Sequence, residues 1–178
     1  MNTQKVLIIG GPGTGKTTVI NHLKAQGYTC FPEISRQVTL QAQKEGIDQL
    51  FLEDPILFSQ KLLEGRIIQF NDAAQVKESH VFIDRGIPDV VAYMDYIGDT
   101  YPLYFVEACK EHVYDAVFLL PPWEAIYESD NERYESFDQA IAIHEHLVKT
   151  YESYGYTITE VPMGDVAYRV AFILNHLQ

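Results

Sequence analysis

Val6-Leu7-Ile8-Ile9 runs directly into Gly10-Gly11-Pro12-Gly13-Thr14-Gly15-Lys16-Thr17, and this junction decides the fold. Gly10, four residues, then Gly15-Lys16-Thr17 is the spacing of a phosphate-binding loop, in which backbone N–H groups wrap phosphates, a lysine neutralises the outermost ones and a hydroxyl holds Mg2+. Lacking a Cβ, Gly10, Gly11, Gly13 and Gly15 let the backbone take left-handed dihedrals and come close to phosphate oxygens. The helix expected next, roughly 16–26, starts with unpaired N–H groups and a positive dipole end, both suited to an anion. At average residue frequencies the pattern arises by chance in roughly one chain in a hundred of this length. A preceding apolar strand and a following helix make a chance match rarer. Gly10, Gly11, Pro12, Gly13, Thr14, Gly15, Lys16, Thr17 and Thr18 are therefore the candidate nucleotide-binding residues.

A chain of 178 residues with 47% hydrophobic content builds one sizeable core, so a single domain spanning 1–178 is expected. The net charge of −12 repels polyanions at long range and argues against a nucleic-acid partner. A small-molecule acceptor fits better, and a homodimer stays open. Cys30 and Cys109 are too few for a disulfide framework and read as ordinary buried thiols. The first strand begins about four residues after Met1, leaving no room for a cleaved signal, and no apolar run reaches membrane-spanning length. A cytoplasmic protein is expected.

Short apolar runs alternate with helical patterns, as in a parallel sheet covered by helices: an α/β fold. Five strands are expected, at 5–9, 28–31, 80–84, 116–120 and 156–161. Two helices fill the stretch between the second and third strands, roughly 34–45 and a long one capped by Asp54 and opened by Pro55. Its stripe of Ile56, Ser59, Leu63, Ile67, Phe70 and Ala74 marks the buried face. Pro88 opens another helix, through Tyr96. Ser136 and Gln139 form a capping box for a helix to about Tyr154, with Phe137, Ala140, Ile141, His144, Leu147, Val148 and Tyr151 inward. His144 in that stripe reads as a hydrogen-bonded core or boundary residue. The last helix, about 165–177, carries the stripe Ala167, Val170, Ala171, Leu174 and Leu177.

In open parallel sheets, ligands collect at the carboxyl ends of the strands, and that rule selects the remaining candidates. Asp84 ends the run Val81-Phe82-Ile83, where phosphate-loop proteins place an acid that holds Mg2+ directly or through water; Thr17 and Asp84 are the metal candidates. Arg85 offers planar donors to a phosphate, a sugar hydroxyl or a nearby carboxylate. Glu33 and Arg36, three apart at a helix start, are expected to project toward one cleft, with Glu33 as base toward an acceptor hydroxyl. Arg133 lies in a charged stretch between Pro121-Pro122 and the capped helix, as in a flap that closes on ATP. Of Tyr93, Tyr96, Tyr101, Tyr104 and Trp123, one or two are candidates to stack on a flat ring.

These features resemble small P-loop kinases of the nucleoside and nucleotide kinase group. More narrowly they resemble the AAA-28 family, which contains the ribosylnicotinamide kinase domain of NadR-type proteins. The resemblance rests on Gly10 to Thr18, Pro32-Glu-Ile-Ser-Arg36, Phe82-Ile-Asp-Arg-Gly86, Arg133-Tyr-Glu135 and the stretch from Tyr151 through Gly155-Tyr156 to Pro162. It implies a three-layer P-loop NTPase fold with a five-stranded parallel sheet in the order 2-3-1-4-5. It also implies an acid after the second strand as base toward the acceptor hydroxyl, matched by Glu33, and a lid arginine after the fourth strand, matched by Arg133 in a lid at about 124–136. Deoxynucleoside kinases end the third strand with Glu-Arg-Ser; Asp84-Arg85-Gly86 is similar but lacks the serine.

The expected activity is therefore an ATP- and Mg2+-dependent kinase (a transferase) acting on a hydroxyl of a small metabolite, a nucleoside-like one such as ribosylnicotinamide. Lys16, Glu33, Asp84, Arg85 and Arg133 are the catalytic candidates, and Glu33, Arg36 and Arg85 the acceptor-binding ones. The alternatives are a P-loop ATPase or nucleotide switch acting on a protein partner, and a nucleotide-binding module without turnover.

Overall fold

The computed structural model describes residues 2–127 and 136–178. Five parallel strands, β1 (Gln4–Ile9), β2 (Cys30–Phe31), β3 (His80–Asp84), β4 (Ala116–Leu119) and β5 (Ile158–Glu160), form one sheet in the order β2-β3-β1-β4-β5. This is the expected three-layer P-loop NTPase topology. The two strands expected to be longest relative to what forms, β2 and β5, are the sheet edges. Each pairs on one side only, over Cys30↔Phe82 and Phe31↔Ile83, and over Val117↔Ile158 to Leu119↔Glu160.

Alternation along the strands divides the interior in two. Leu7, Ile9, Val81, Ile83, Val117 and Leu119 point to one core. Val6, Ile8, Phe82 and Phe118 point to the other. The second core is closed by α1 (Lys16–Ala25) and α8 (Val166–His176); the first by α2 (Ser35–Lys44), α3 (Leu50–Glu53), α4 (Pro55–Ala73), α5 (Ile87–Ile97), α6 (Leu103–Glu111) and α7 (Phe137–Ser153). The helix starts follow their local chemistry. Asp54 Oδ1 accepts from Leu57 N at 3.0 Å ahead of Pro55. Ser136 and Gln139 form both bonds of their capping box, and Asp165 Oδ1 accepts from Tyr168 N at 2.8 Å. Each such cap is worth about 1 kcal/mol.

Several expectations are corrected. Three helices, not two, lie between β2 and β3, because the short α3 packs Leu50 into the core beside α4. Helix α6, with Phe105 and Cys109 fully buried, was not expected. On α4 the buried face is Phe58, Leu62, Arg66, Gln69 and Ala73, joined by Ser59 and Leu63, while Ala74 is exposed and Ile67 and Phe70 are half-buried. The helix is rotated because it turns two polar side chains, Arg66 and Gln69, inward to partners on the loop after β2 and the turn after β3. The same happens on α8, where Arg169, Val170 and Ile173 are buried and Ala167 and Ala171 exposed. On α7, Ile141 is exposed and Thr150 buried. His144 is half-buried as a boundary residue, but its Nδ1 has no hydrogen-bond partner among the described residues. Cys109 is buried and Cys30 half-buried, both free. No helix among the described residues is long and apolar enough to cross a membrane.

Candidate active site

The chain leaves β1 at Ile9 and winds through Gly10–Gly15 into α1. Gly13 and Gly15 are left-handed, at φ 71° and 83°, and Thr14 Oγ1 donates to Gly11 O at 3.1 Å, closing the loop on itself. Gly15 is doubly required: its φ excludes most side chains, and a Cβ would lie 2.8 Å from Arg169 Nη1. Lys16 and Thr14 are buried, whereas Thr17 and Thr18 are exposed on the first turn of α1.

Lys16 Nζ donates to Asp84 Oδ1 in a buried ion pair that joins the loop to the end of β3. Burial, seconded by the Arg85 charge, lowers the Lys16 pKa; the pairing with Asp84 opposes both. The oxygen donors here, the Thr17 hydroxyl and the Asp84 carboxylate, suit Mg2+, which takes one or two protein oxygens and completes its octahedron with water and substrate phosphate. A cluster of three or more acidic, His or Cys ligands does not occur among the described residues, and such a Mg2+ site has no need of one.

After Asp84 the chain turns sharply. Arg85 has φ 69°, the one described non-glycine residue with positive φ, and its N–H donates to Ile8 O at 3.1 Å. A left-handed arginine costs about 1–2 kcal/mol; here that conformation accompanies a cation that lines the cavity beside the Gly10–Pro12 wall of the phosphate loop. Gly86 follows, and the structure explains the absent serine. A Cβ at Gly86 would lie 2.6 Å from Leu7 Cδ1 and 2.8 Å from the Tyr151 hydroxyl. Tyr151, fully buried, donates to Asp89 Oδ2 at 2.5 Å, and the same oxygen accepts from Gly86 N at 2.9 Å.

Glu33 lies two residues before α2, so it does not share a helical face with Arg36 as the sequence suggested. Its carboxylate instead caps that helix, accepting from Ser35 N at 3.0 Å and from Ser35 Oγ. It also accepts from Arg66 Nη2 at 3.1 Å, while Arg66 Nη1 donates to Gly86 O at 3.2 Å. Gln69 Nε2 ties down the preceding residue through Pro32 O at 2.7 Å. Burial alone would raise the Glu33 carboxyl, but the Arg85 and Arg66 charges and the Ser35 bonds outweigh it and hold it at about 2, against an ordinary 4.5. Arg66 escaped the sequence reading. The signal available was its place in the alternative stripe Phe58-Leu62-Arg66-Gln69-Ala73, an arginine in line with core residues.

Two cavities flank the loop. The larger, about 780 Å³, is lined on one wall by Gly10, Gly11 and Pro12 and elsewhere by Ser35, Arg36, Arg66, Arg85 and Asp89. Phe51, Phe58, Tyr93 and Tyr96 supply its aromatic surface, and Ile143 and Leu147 of α7 its far side. The second, about 610 Å³, lies on the other side of the loop, against Gly13, Gly15, Thr18, Trp123 and the turn at Gly164–Val166. Thus Glu33, Arg36, Asp84 and Arg85 gather with Lys16 at the carboxyl edge of the sheet. Tyr101 and Tyr104 lie away from both cavities, packed on Phe105. Arg133, and residues 128–135 of the expected lid, lie outside the described residues.

Comparison with known proteins agrees with this fold. The profile of the AAA-28 family, described as an AAA domain, matches residues 5–169. No curated protein matches the chain significantly by sequence. Among solved structures, the chain is similar to deoxyadenosine kinase from M. mycoides with bound dCMP and dCDP (TM-score 0.71, 17% identity, 98% of each chain). It is also similar to NadR protein in complex with NR (TM-score 0.73, 16% identity), covering 97% of this chain but 49% of that one, so it spans about half of NadR. Thymidylate kinase from Candida albicans is a third likeness, with TM-score 0.68 and 16% identity over 99% of this chain and 91% of that one. At these identities the likeness is one of fold.

Proposed function

We propose, from the premise that this chain belongs to the AAA-28 family of P-loop proteins, that it transfers the terminal phosphoryl group of ATP to a hydroxyl of a small, nucleoside-like metabolite. One observation carries the reading: the larger cleft shares the Gly10–Pro12 wall with the phosphate loop and opens onto Arg85. An acceptor lying there meets the outermost phosphate. At about 780 Å³ the cleft has the size of a small-molecule site, with polar groups at the loop end and aromatic rings beyond. It favours a metabolite over a protein partner.

The loop amides and Lys16 would hold the β- and γ-phosphates, and Thr17 and Asp84 would hold Mg2+, which would supply positive charge against the phosphate oxygens. Arg85, which lines the cleft, balances charge on the transferring group, with Arg133 as a second cation from the lid. As the acceptor oxygen bonds to phosphorus, its bond to the ADP oxygen breaks. Glu33 then acts mainly by position. A carboxylate held near 2 is a weak base, so it orients the hydroxyl and takes the proton late, once the attacking oxygen has become strongly acidic. A loose transition state needs little more. Ribosylnicotinamide and deoxynucleosides are the acceptors to try first, since NadR and deoxyadenosine kinase share the fold.

The test is Mg-ATP consumption across a panel of nucleosides, deoxynucleosides, ribosylnicotinamide, nucleoside monophosphates and pantothenate-like alcohols, with Lys16→Ala as blank. Stimulation by one acceptor with a phosphorylated product seen by mass supports the reading. Acceptor-independent hydrolysis alone would turn it toward an ATPase or switch.

A further inference from the structure

Arg169 of α8 is 2% exposed, and the mechanism above makes no use of it. Its guanidinium reaches three separate segments. Nη1 donates to Thr14 O inside the phosphate loop at 2.8 Å, and Nε donates to Pro162 O, just after β5, at 3.2 Å. Its plane also lies 5.6 Å from the centre of the Trp123 ring, in the segment after β4. Nη2 is buried and without a partner among the described residues. The three segments are walls of the second cavity, which Arg169 itself lines together with Gly13, Gly15 and Trp123. Gly15 leaves room for the guanidinium, since a Cβ would meet Nη1 at 2.8 Å.

A buried cation is costly, and a fully apolar side chain would serve a core better. The retained fork does what an apolar group does not: it fixes one carbonyl of the phosphate loop from behind. With Thr14 O held back, the peptide from Thr14 to Gly15 is held in one orientation, and with it the Gly15 N–H on the phosphate side. We infer that Arg169 is a positioning residue for the donor nucleotide, setting the phosphate loop and the two outer walls of the second cavity at one spacing. The inference rests on the reading that a nucleoside triphosphate occupies the loop.

Calorimetric titration with Mg-ATP and with a non-hydrolysable ATP analogue tests it on the wild type, Arg169→Met and Arg169→Lys. Emission of Trp123, the one tryptophan of the chain, reports the same site. Arg169→Met should weaken binding about 10- to 100-fold, the scale of two hydrogen bonds from a charged donor. Arg169→Lys keeps the charge but not the fork, and should fall between. Because loss of a buried arginine also lowers stability, each variant is melted with and without nucleotide. Positioning predicts that the nucleotide-induced rise in Tm shrinks with the affinity. A variant that melts lower but keeps the full nucleotide-induced rise has lost only a core contact, and that result overturns the inference. So does an Arg169→Lys variant that binds as the wild type does. If the wild type itself binds no nucleotide, the proposed function fails as well, which separates the two failures.

Discussion

Replacing Arg66 by Met keeps the apolar stem of the side chain on α4 and deletes its two directed bonds, to Glu33 and to Gly86 O. The cost follows from the surroundings. The Glu33 carboxyl stands at about 2 against 4.5, and at roughly 1.4 kcal/mol per pKa unit this corresponds to ~3 kcal/mol of interaction favouring the carboxylate. Arg85, Arg66 and the Ser35 bonds share it, so Arg66 accounts for about 1–1.5 kcal/mol. Its side chain is 3% exposed and that of Glu33 20%, so solvent replaces little of what is lost. Leaving Gly86 O short of a donor adds about 1–2 kcal/mol. Arg66→Met should therefore destabilise by about 2–4 kcal/mol, close to the usual cost of stripping one partner from a buried pair. Urea unfolding of Arg66→Met, Glu33→Gln and the double variant closes a cycle, with an expected coupling of about 1–1.5 kcal/mol. A coupling below about 0.5 kcal/mol, with Arg66→Met near neutral, would refute the view that Arg66 holds Glu33 in place.

The pH dependence has a definite sign. Glu33 has a folded pKa below its unfolded one, so its contribution is fully present above 4.5 and lost as pH falls toward 2; the stability gap between wild type and Glu33→Gln should narrow over that window in acid titrations. Gly86→Ala forces a methyl against Leu7 and the Tyr151 hydroxyl and should cost about 1–3 kcal/mol by thermal unfolding. Tyr151→Phe relieves no clash but deprives Asp89 of its 2.5 Å donor, with an expected loss of about 1–3 kcal/mol in the same assay. Lys16→Ala should abolish measurable Mg-ATP binding by calorimetry while the fold, judged by circular dichroism, persists.

What the sequence made legible was chemistry that acts over a few residues. The phosphate loop follows from glycine spacing, and the caps at Asp54 and Ser136 involve partners three residues away. The sheet order came from resemblance rather than from any local pattern. Helix α6 went unread because Pro102, at its N-cap, offers no side-chain cap and its buried Phe105, Ala108 and Cys109 make too short a stripe. Arg66 and Arg169 went unread for one shared reason. A charged residue on an amphipathic helix is ordinarily put outside, and what brings these two inside are carbonyls and a carboxylate 7 to 155 residues away in sequence. Glu33 was found, but its bonds to Ser35 and Arg66, which hold its carboxylate in place, depend on α4 lying against the loop before α2.

Helix α7 starts at Phe137, capped by Ser136, and carries Ile143 and Leu147 along the larger cavity to Tyr151 beneath the turn at Gly86. Trp123, after β4, sits over Arg169 at the second cavity. A 17-residue rod, about 25 Å long, thus forms one wall of the larger cavity and at its far end fixes the turn that follows Arg85. A shift of that rod along its axis is therefore felt at both places at once, at the cavity wall through Ile143 and Leu147 and at the Gly86 turn through the Tyr151 bond to Asp89.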